Sequence, residues 1–174
     1  MSSYRAHCRF IPLFMMAMLM LQGCGFRPLY GHHSADEEGI NVEDRMAAIR
    51  IDPISNRLGQ ELHNGLRDAL NPRGQPSEPL YHLKITLSEV RDSLVTLPDL
   101  SSTREDLRLS AMYILMDNEG KEIFKNNARA SVSYNIFQDP YNDLSARRDA
   151  HLRATNLLTE QIRNRLAVFL NRGS

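Results

Sequence analysis

An apolar run near the start of the chain ends at a single cysteine and sets how much sequence is left to fold. The residues from Phe10 to Leu21 are almost wholly apolar, and Arg5 and Arg9 precede them. This length is typical of the apolar region of an export signal, because about 20 residues are needed to cross a bilayer as a helix. We therefore expect the run to be removed and the fold to form from the residues beyond it.

The sequence that ends this run, Leu21-Gln22-Gly23-Cys24, resembles a bacterial lipobox, with Gln22 where a small residue is usual. In such motifs the chain is cut before the cysteine, whose sulfur carries diacylglycerol and whose new amino group is acylated. Each acyl chain gains ~0.8 kcal/mol for every CH₂ group that is buried in the membrane, so the acyl chains together would anchor the protein permanently. Gly25, where an aspartate would favour the inner membrane, indicates the outer membrane. The alternatives are a free thiol after an ordinary export signal and an uncleaved anchor.

The residues that remain after cleavage bound the class of protein. Removing 23 of the 174 residues leaves 151, enough for one domain with a core. The remaining 19 basic and 21 acidic side chains give a formal charge of −2, which does not indicate a nucleic-acid partner. Cys8 lies in the removed segment, so neither a disulfide framework nor a cysteine-based metal site is predicted.

Composition divides the chain into three regions. Residues 1–23 are the predicted lipoprotein signal peptide, residues 24–45 a lipidated tether, and residues 46–171 the folded domain. The tether is rich in glycine, charged and turn-forming residues. Its His32-His33 pair has no further ligand nearby in the sequence, so a solvated linker is favoured over a metal site.

The first part of the folded domain predicts a strand followed by a helix. Alternation from Met46 to Ile51 predicts the strand, which Pro53 ends. Ser55 is a plausible N-cap for a helix of about 15 residues, which Asn71-Pro72-Arg73-Gly74 stops. Leucines recur along one face of this helix at a spacing of four: Leu58, Leu62, Leu66 and Leu70. Because two glycines weaken it, the helix must rely on packing.

Three alternating stretches then predict strands joined as hairpins. They run over residues 83–87, 107–115 and 123 to about 136, and Asp117-Asn118-Glu119-Gly120 is the turn between the last two. Val90 breaks the alternation of the first stretch, which predicts a bulge or a strand end near Glu89. Residues 91–106 are predicted to form a long, mostly polar connection.

A long helix closes the chain. It is predicted from about Leu144 to Leu170, with Asp143 or Ser145 as its cap after a turn at residues 139–142. Its apolar stripe comprises Ala150, Ala154, Leu157, Leu158, Ile162, Leu166, Phe169 and Leu170. The order β-α-β-β-β-α predicts an α+β fold, in which two helices pack on one face of a four-stranded, mostly antiparallel sheet.

Catalytic chemistry has no support in the sequence. None of the common nucleophile, phosphate-loop or zinc-protease motifs is present. The histidines of the folded domain, His63, His82 and His151, fall on three separate elements. Glu105-Asp106 lies in a polar segment that a solvated loop explains equally well. We therefore expect no enzyme, no metal site and no cofactor beyond the lipid on Cys24.

Basic side chains are the remaining candidates for a binding site. Lys125 and Arg129 share the wet face of the last predicted strand, and Arg104, Arg108 and Lys84 lie on neighbouring segments. If the hairpin forms, these cations would gather on the uncovered sheet face or at its end, where they could bind phosphorylated groups. Ordinary solubilising charge, which also blunts sheet edges, explains the same residues.

Several stretches resemble the LptE family of lipopolysaccharide-assembly lipoproteins, of the alphaproteobacterial type. They are residues 24–31, with the pattern Cys-Gly-Phe-x-Pro-Leu-Tyr, and residues 102–113, 130–135 and 146–150. The first is the most specific of them. The similarity covers essentially the whole chain after the signal, and the sheet with two packed helices found in that family agrees with the predicted order.

The resemblance implies a non-catalytic function at the periplasmic side of the Gram-negative outer membrane. Members of the family sit in the lumen of the LptD β-barrel as a 1:1 complex, help it to assemble, plug it, and bind lipopolysaccharide on its way to the outer leaflet. The resemblance implies lipopolysaccharide contacts for Arg104 and Arg129, with Arg108 and Lys125 beside them. The alternatives are an accessory lipoprotein of another envelope lipid-transfer machine and a periplasmic hydrolase.

Overall fold

The computed structural model describes residues 41–94 and 103–172, and its first element is a short helix, α1 (Val42–Ala47). The prediction that this stretch belongs to the tether and to the start of a strand is wrong. The Asn41 side chain accepts a hydrogen bond from the backbone N–H of Glu43, Asp44 adds a second acid to the first turn, and Met46 is buried. The predicted signal peptide and Cys24 lie outside the described residues.

Strand β1 (Ile49–Ile51) leads into helix α2 (Asn56–Leu70), which has the predicted length of 15 residues. The predicted cap is wrong in detail, since the Ser55 side chain makes no capping hydrogen bond. Asn56 takes this role instead: its Oδ1 accepts from the backbone N–H of Gly59 at 2.8 Å, and its φ of 69° is a conformation that asparagine tolerates better than most residues.

The sheet has four strands in the order β1-β2-β3-β4, where β2 is Tyr81–Leu94, β3 is Thr103–Asp117 and β4 is Glu122–Ile136. β1 pairs with β2 in parallel, and the other pairs are antiparallel. The mostly antiparallel sheet is thus confirmed. Gly120, with a φ of 79°, closes the predicted turn between β3 and β4.

The hairpin of β2 and β3 is longer than predicted. Their pairing is unbroken from Tyr81 opposite Asp117 to Leu94 opposite Arg104, so the bulge expected near Glu89 is absent. Residues 91–94 and 103–106 belong to the strands rather than to a connection. The alternation fails there because helices no longer bury one face of β2, whereas the backbone pairing continues.

Helix α3 (Pro140–Arg172) spans 33 residues, about 50 Å at 1.5 Å per residue. It begins earlier than predicted because Asp139 is its cap: the Asp139 carboxylate accepts from the backbone N–H of Asn142 at 2.9 Å, and Pro140 occupies the first helical position. The predicted stripe is correct except at Leu157, which is 43% exposed. Thr155 and Thr159 are buried instead.

One hydrophobic core joins the helices to a single face of the sheet. Its fully buried side chains come from α2, α3 and all four strands and include Ile49, Leu66, Leu83, Leu109, Ala128 and Leu158. Gly65 lets α2 approach α3, since a Cβ at this position would lie 3.0 Å from the Thr159 hydroxyl. The other face of the sheet has no helix over it within the described residues. No described helix is long and apolar enough to cross a membrane.

Asn71 ties the end of α2 to the chain segment that enters the sheet. Its buried amide nitrogen donates to the carbonyl oxygens of Ala47 at 2.9 Å and Ile49 at 3.1 Å. Replacing Asn71 with alanine should lower the free energy of unfolding by about 2 to 3 kcal/mol, because one buried and one partly buried acceptor lose their donor. Urea unfolding measures this change. The Arg73→Ala variant, at an exposed loop position, should stay close to the wild type.

Candidate functional site

The uncovered surface of the sheet, called here the open face, carries the predicted cations. The pairing register aligns its side chains in rows across β2, β3 and β4. In order along the strands, the rows are Lys84-Ile114-Lys125, Thr86-Met112-Asn127, Ser88-Ser110-Arg129, Val90-Arg108-Ser131, Asp92-Asp106-Ser133 and, on β3 and β4 alone, Arg104-Asn135. These rows hold five basic side chains and two carboxylates, so the open face is positively charged.

Arg108 and Arg129 form the centre of this charge. Arg108 lies opposite Ser131, two residues along β4 from Arg129, which makes the two arginines diagonal neighbours about 7 to 8 Å apart at their backbones. Arg108 forms an ion pair with Asp92 at 3.0 Å, both side chains being partly exposed. Arg129 has no acidic partner among the described residues. The pair therefore keeps an excess positive charge.

The other two predicted residues lie on the same face but farther out. Arg104 is four residues from Arg108 along β3, and Lys125 is four residues from Arg129 along β4, about 13 Å in each case. Arg104 was predicted in a loop and instead lies within β3. The structure thus places all four predicted ligand-binding residues on one face, with two of them adjacent and two as outlying charges.

Small hydroxyl side chains surround the arginine pair and leave a shallow depression between the arginines. Its lining residues are Ser88, Val90, Arg108, Leu109, Ser110, Arg129, Ala130 and Ser131. The Ser110 hydroxyl donates to the side-chain oxygen of Asn127 at 3.0 Å. Guanidinium groups and hydroxyls together can bind phosphate and sugar oxygens.

Two exposed apolar side chains border this depression, and neither was predicted from the sequence as part of a site. Val90, 52% exposed, is opposite Arg108, and Met112, 48% exposed, lies one row beyond Arg129. The alternation indicates a break at Val90, although this residue occupies the wet-face position after Lys84, Thr86 and Ser88. An apolar residue at a solvent-facing position was the sequence signal that could have indicated a binding surface here. With these side chains the open face can contact both parts of an amphiphile, since the arginines face its charged groups and Val90 and Met112 face its apolar chains.

A polar cluster lies on the covered side of the sheet, near the same end as Arg104. Glu105 is only 7% exposed and accepts a hydrogen bond from the Tyr134 hydroxyl at 2.8 Å. Its sequence neighbour Asp106 points to the open face, where it accepts a hydrogen bond from Ser133. The two adjacent carboxylates therefore cannot act together as an acid and a base. Within the part of the chain described, no group of three or more metal-ligating side chains occurs.

Tyr134 gives this cluster a measurable titration. Burial, and then the hydrogen bond to Glu105, raise the pKa of Tyr134 from 10.0 to about 12. Because the folded state holds the proton more tightly, this contribution to stability is complete below pH 10 and is lost as the pH rises through about 12. We expect the free energy of unfolding of the wild type to fall over this range more steeply than that of Tyr134→Phe. Urea titrations of both proteins across this range test it, and parallel curves would contradict the assignment.

Comparison with known proteins decides the family. The model of the family described as LptE, Lipopolysaccharide-assembly, matches residues 46–166, from the end of α1 to the last turns of α3. The chain belongs to the LptE family. All five basic residues of the open face lie inside the matched range, so the resemblance found in the sequence is confirmed at the level of the family.

Solved structures share the LptE-family fold. A candidate lipoprotein from Caulobacter crescentus CB15 is 28% identical with a TM-score of 0.63, covering 75% of this chain and 96% of its own. A minor lipoprotein from Acinetobacter baumannii is 19% identical with a TM-score of 0.58, covering 71% and 91%. Lipoprotein B from Nitrosomonas europaea is 12% identical with a TM-score of 0.51, covering 72% and 83%. No curated protein matches the sequence.

Proposed function

We propose that this LptE-family protein is a non-catalytic lipoprotein of the outer membrane, anchored through lipid on Cys24, with its domain on the periplasmic side. It plugs and helps to assemble the LptD β-barrel in a 1:1 complex, and it binds lipopolysaccharide during insertion into the outer leaflet. The observation that carries the binding part is the open face, where Arg108 and Arg129 stand together among hydroxyls and exposed apolar side chains.

The chemistry of the open face suits this ligand. The lipid A part of lipopolysaccharide carries phosphates, which arginine binds through two parallel N–H donors. Val90 and Met112 offer contact for acyl chains at either side of the arginine pair. Arg104 and Lys125, each about 13 Å from the centre, can meet further anionic groups of the same large molecule.

The partner is tested by isolating the complex from its membrane. A C-terminal tag on the full-length protein, detergent-solubilised outer membranes and mass spectrometry of the eluate should give one large β-barrel in near-equal amount. The complex should survive high salt, because a plug is held by more than screened surface charge. A protein that elutes alone, or with components of another lipid-transfer machine, would overturn the plug proposal.

The anchor has its own prediction. Cys24→Ala removes the sulfur that lipidation requires, so the variant should lose its fatty-acid label and leave the outer-membrane fraction. It should be found either in the periplasm or held by its uncut signal. Membrane fractionation with metabolic palmitate labelling measures both properties, and Cys8→Ala is the matched control. A Cys24→Ala protein that fractionates as the mature outer-membrane form would show that the lipobox interpretation is wrong.

A further inference from the structure

Strand β4 is the last strand of the sheet, so one of its edges has no neighbouring strand among the described residues. Helix α3 covers part of this edge. The Gln161 side-chain amide donates to the carbonyl of Arg129 at 2.9 Å and accepts from its N–H at 3.4 Å, and Arg165 donates to the carbonyl of Asn127. Side chains thus replace the missing strand at residues 127–129.

The remainder of the edge lacks this cover. Both main-chain polar groups of Arg129 point away from β3, and the register between β3 and β4 continues without a shift to Ile136. The groups of Ser131, Ser133 and Asn135 therefore point outward as well, because strand backbones alternate with a period of two. No described residue forms a hydrogen bond with these outward N–H and C=O groups.

A groove runs between this part of β4 and α3, and we call it the edge groove. It consists of two adjoining depressions that share Arg104, Ser133 and Arg153. The first is also lined by Ser131, Val132, Asn156, Leu157 and Glu160, and the second by Tyr134, Asn135, Phe137, Ala146 and Asp149. The edge groove therefore offers a strand edge that no described residue pairs with, together with side-chain sites along it.

We infer that the edge groove binds an extended segment of a partner polypeptide, which adds to the sheet beside β4 and presents a carboxylate to Arg104. Three outward residues supply three donors and three acceptors at the repeat of a β-strand, which is the pattern that strand addition requires. Arg104 has no ion-pair partner among the described residues, whereas Arg153 already pairs with Asp149 at 2.8 Å. An acidic side chain on the added strand would therefore meet Arg104 first.

Charge disfavours a second copy of this chain as the occupant. A symmetric pair would have Ser133 opposite Ser133 of the other copy, because Gln161 blocks the pairing beyond Ser131. Gln161 lies beside Arg129, and about 13 Å farther along the strand the returning helix brings Arg153 beside Ser133. The two copies of Arg104, which lines the edge groove with Ser133 and has no ion-pair partner among the described residues, would then approach each other near the symmetry axis. A partner with an acidic segment avoids this repulsion.

Photo-crosslinking tests the inference in the full-length protein in its own membrane. Benzoylphenylalanine replaces Leu157, an exposed side chain that lines the edge groove without belonging to the strand. We expect crosslinks to one segment of one partner polypeptide, with Asp or Glu in the sequenced peptide. Ser133→Pro should reduce the yield about tenfold, because proline lacks the outward N–H, whereas Ser133→Ala keeps that N–H and the yield. Arg104→Glu should also reduce it.

Each other result overturns the inference. Equal crosslinking yields from Ser133→Pro and Ser133→Ala would mean that the partner does not use the backbone edge. Crosslinks to a second copy of this chain or to lipid alone, or the absence of any crosslink, would also contradict the inference. If the proline variant melts well below the wild type, Arg104→Glu decides, since an unchanged yield contradicts the carboxylate contact. A barrel that co-purifies without a crosslink at the groove would support the proposed function and overturn this inference alone.

Discussion

Replacing Arg108 and Arg129 together with glutamate is expected to weaken lipopolysaccharide binding by at least about a hundredfold. Each guanidinium is expected to contribute about 1.5 to 3 kcal/mol through charge-assisted hydrogen bonds to phosphate, and the replacement adds repulsion. Both side chains project from the open face, away from the core, so the melting temperature should change little. Displacement of a fluorescent lipid A probe from the purified lipoprotein, at two salt concentrations, measures the effect.

The matched control reverses two charges on the helix side of the molecule. Arg57 on α2 and Arg73 in the following loop are exposed, so the Arg57→Glu/Arg73→Glu variant has the same net charge change as the double variant. Its binding should stay near that of the wild type. The Arg104→Glu/Arg129→Glu variant should lie between the two, because it keeps one arginine of the central pair. An equal loss of lipopolysaccharide binding in all three variants would mean that net charge, rather than the pair of Arg108 and Arg129, determines binding.

The faces of β4 could be predicted from the sequence because burial differs on its two sides. Ala128, Ala130 and Val132 lie under α3, while Arg129 and Ser131 face solvent. Apolar and polar residue types therefore alternate with the period of two that a strand imposes on its side chains. The spacing of four in α2 and in most of α3 has the same origin. Where one side of an element is buried and the other is wet, the sequence is sufficient to predict which side chains face the core.

The pattern fails where a segment is wet on both sides or where a polar group is buried. Arg91, Asp92 and Ser93 lie at the end of the hairpin and are exposed or half-buried on both faces of β2, so their alternation carries no information about pairing. Glu105 looked like a loop residue, and its burial depends on the Tyr134 hydroxyl, 29 residues away in the sequence. Such partners become visible only when the register of the strands is known.

The candidate site shows both situations. The cations of the open face could be identified as wet-face residues, yet their mutual distances depended on the register. Arg108 and Arg129 became neighbours because Arg108 pairs with Ser131, whereas Arg104 and Arg129, the pair favoured by the resemblance, lie six strand positions apart. The edge groove left no periodic signal, because a free strand edge is a property of the backbone.

Leu158→Ala is expected to lower the free energy of unfolding by about 3 kcal/mol, within the 2 to 5 kcal/mol that a buried leucine usually costs. Leu158 is fully buried where α3 crosses the sheet, so truncation leaves a cavity between layers that cannot close without moving the helix. For a domain of about 150 residues this corresponds to a melting temperature about 6 to 12 °C lower. Thermal and urea unfolding of the mature protein measure it.

Leu157→Ala is the control, because it removes the same atoms one position earlier on the same helix. Leu157 is 43% exposed and lines the edge groove, and alanine is at least as good a helix former as leucine, so the change should stay within about 0.5 kcal/mol. A large loss at Leu157 would mean that this side chain is buried after all, as its place in the apolar stripe first indicated. The edge groove would then be closed, and the inferred strand addition would lose its site.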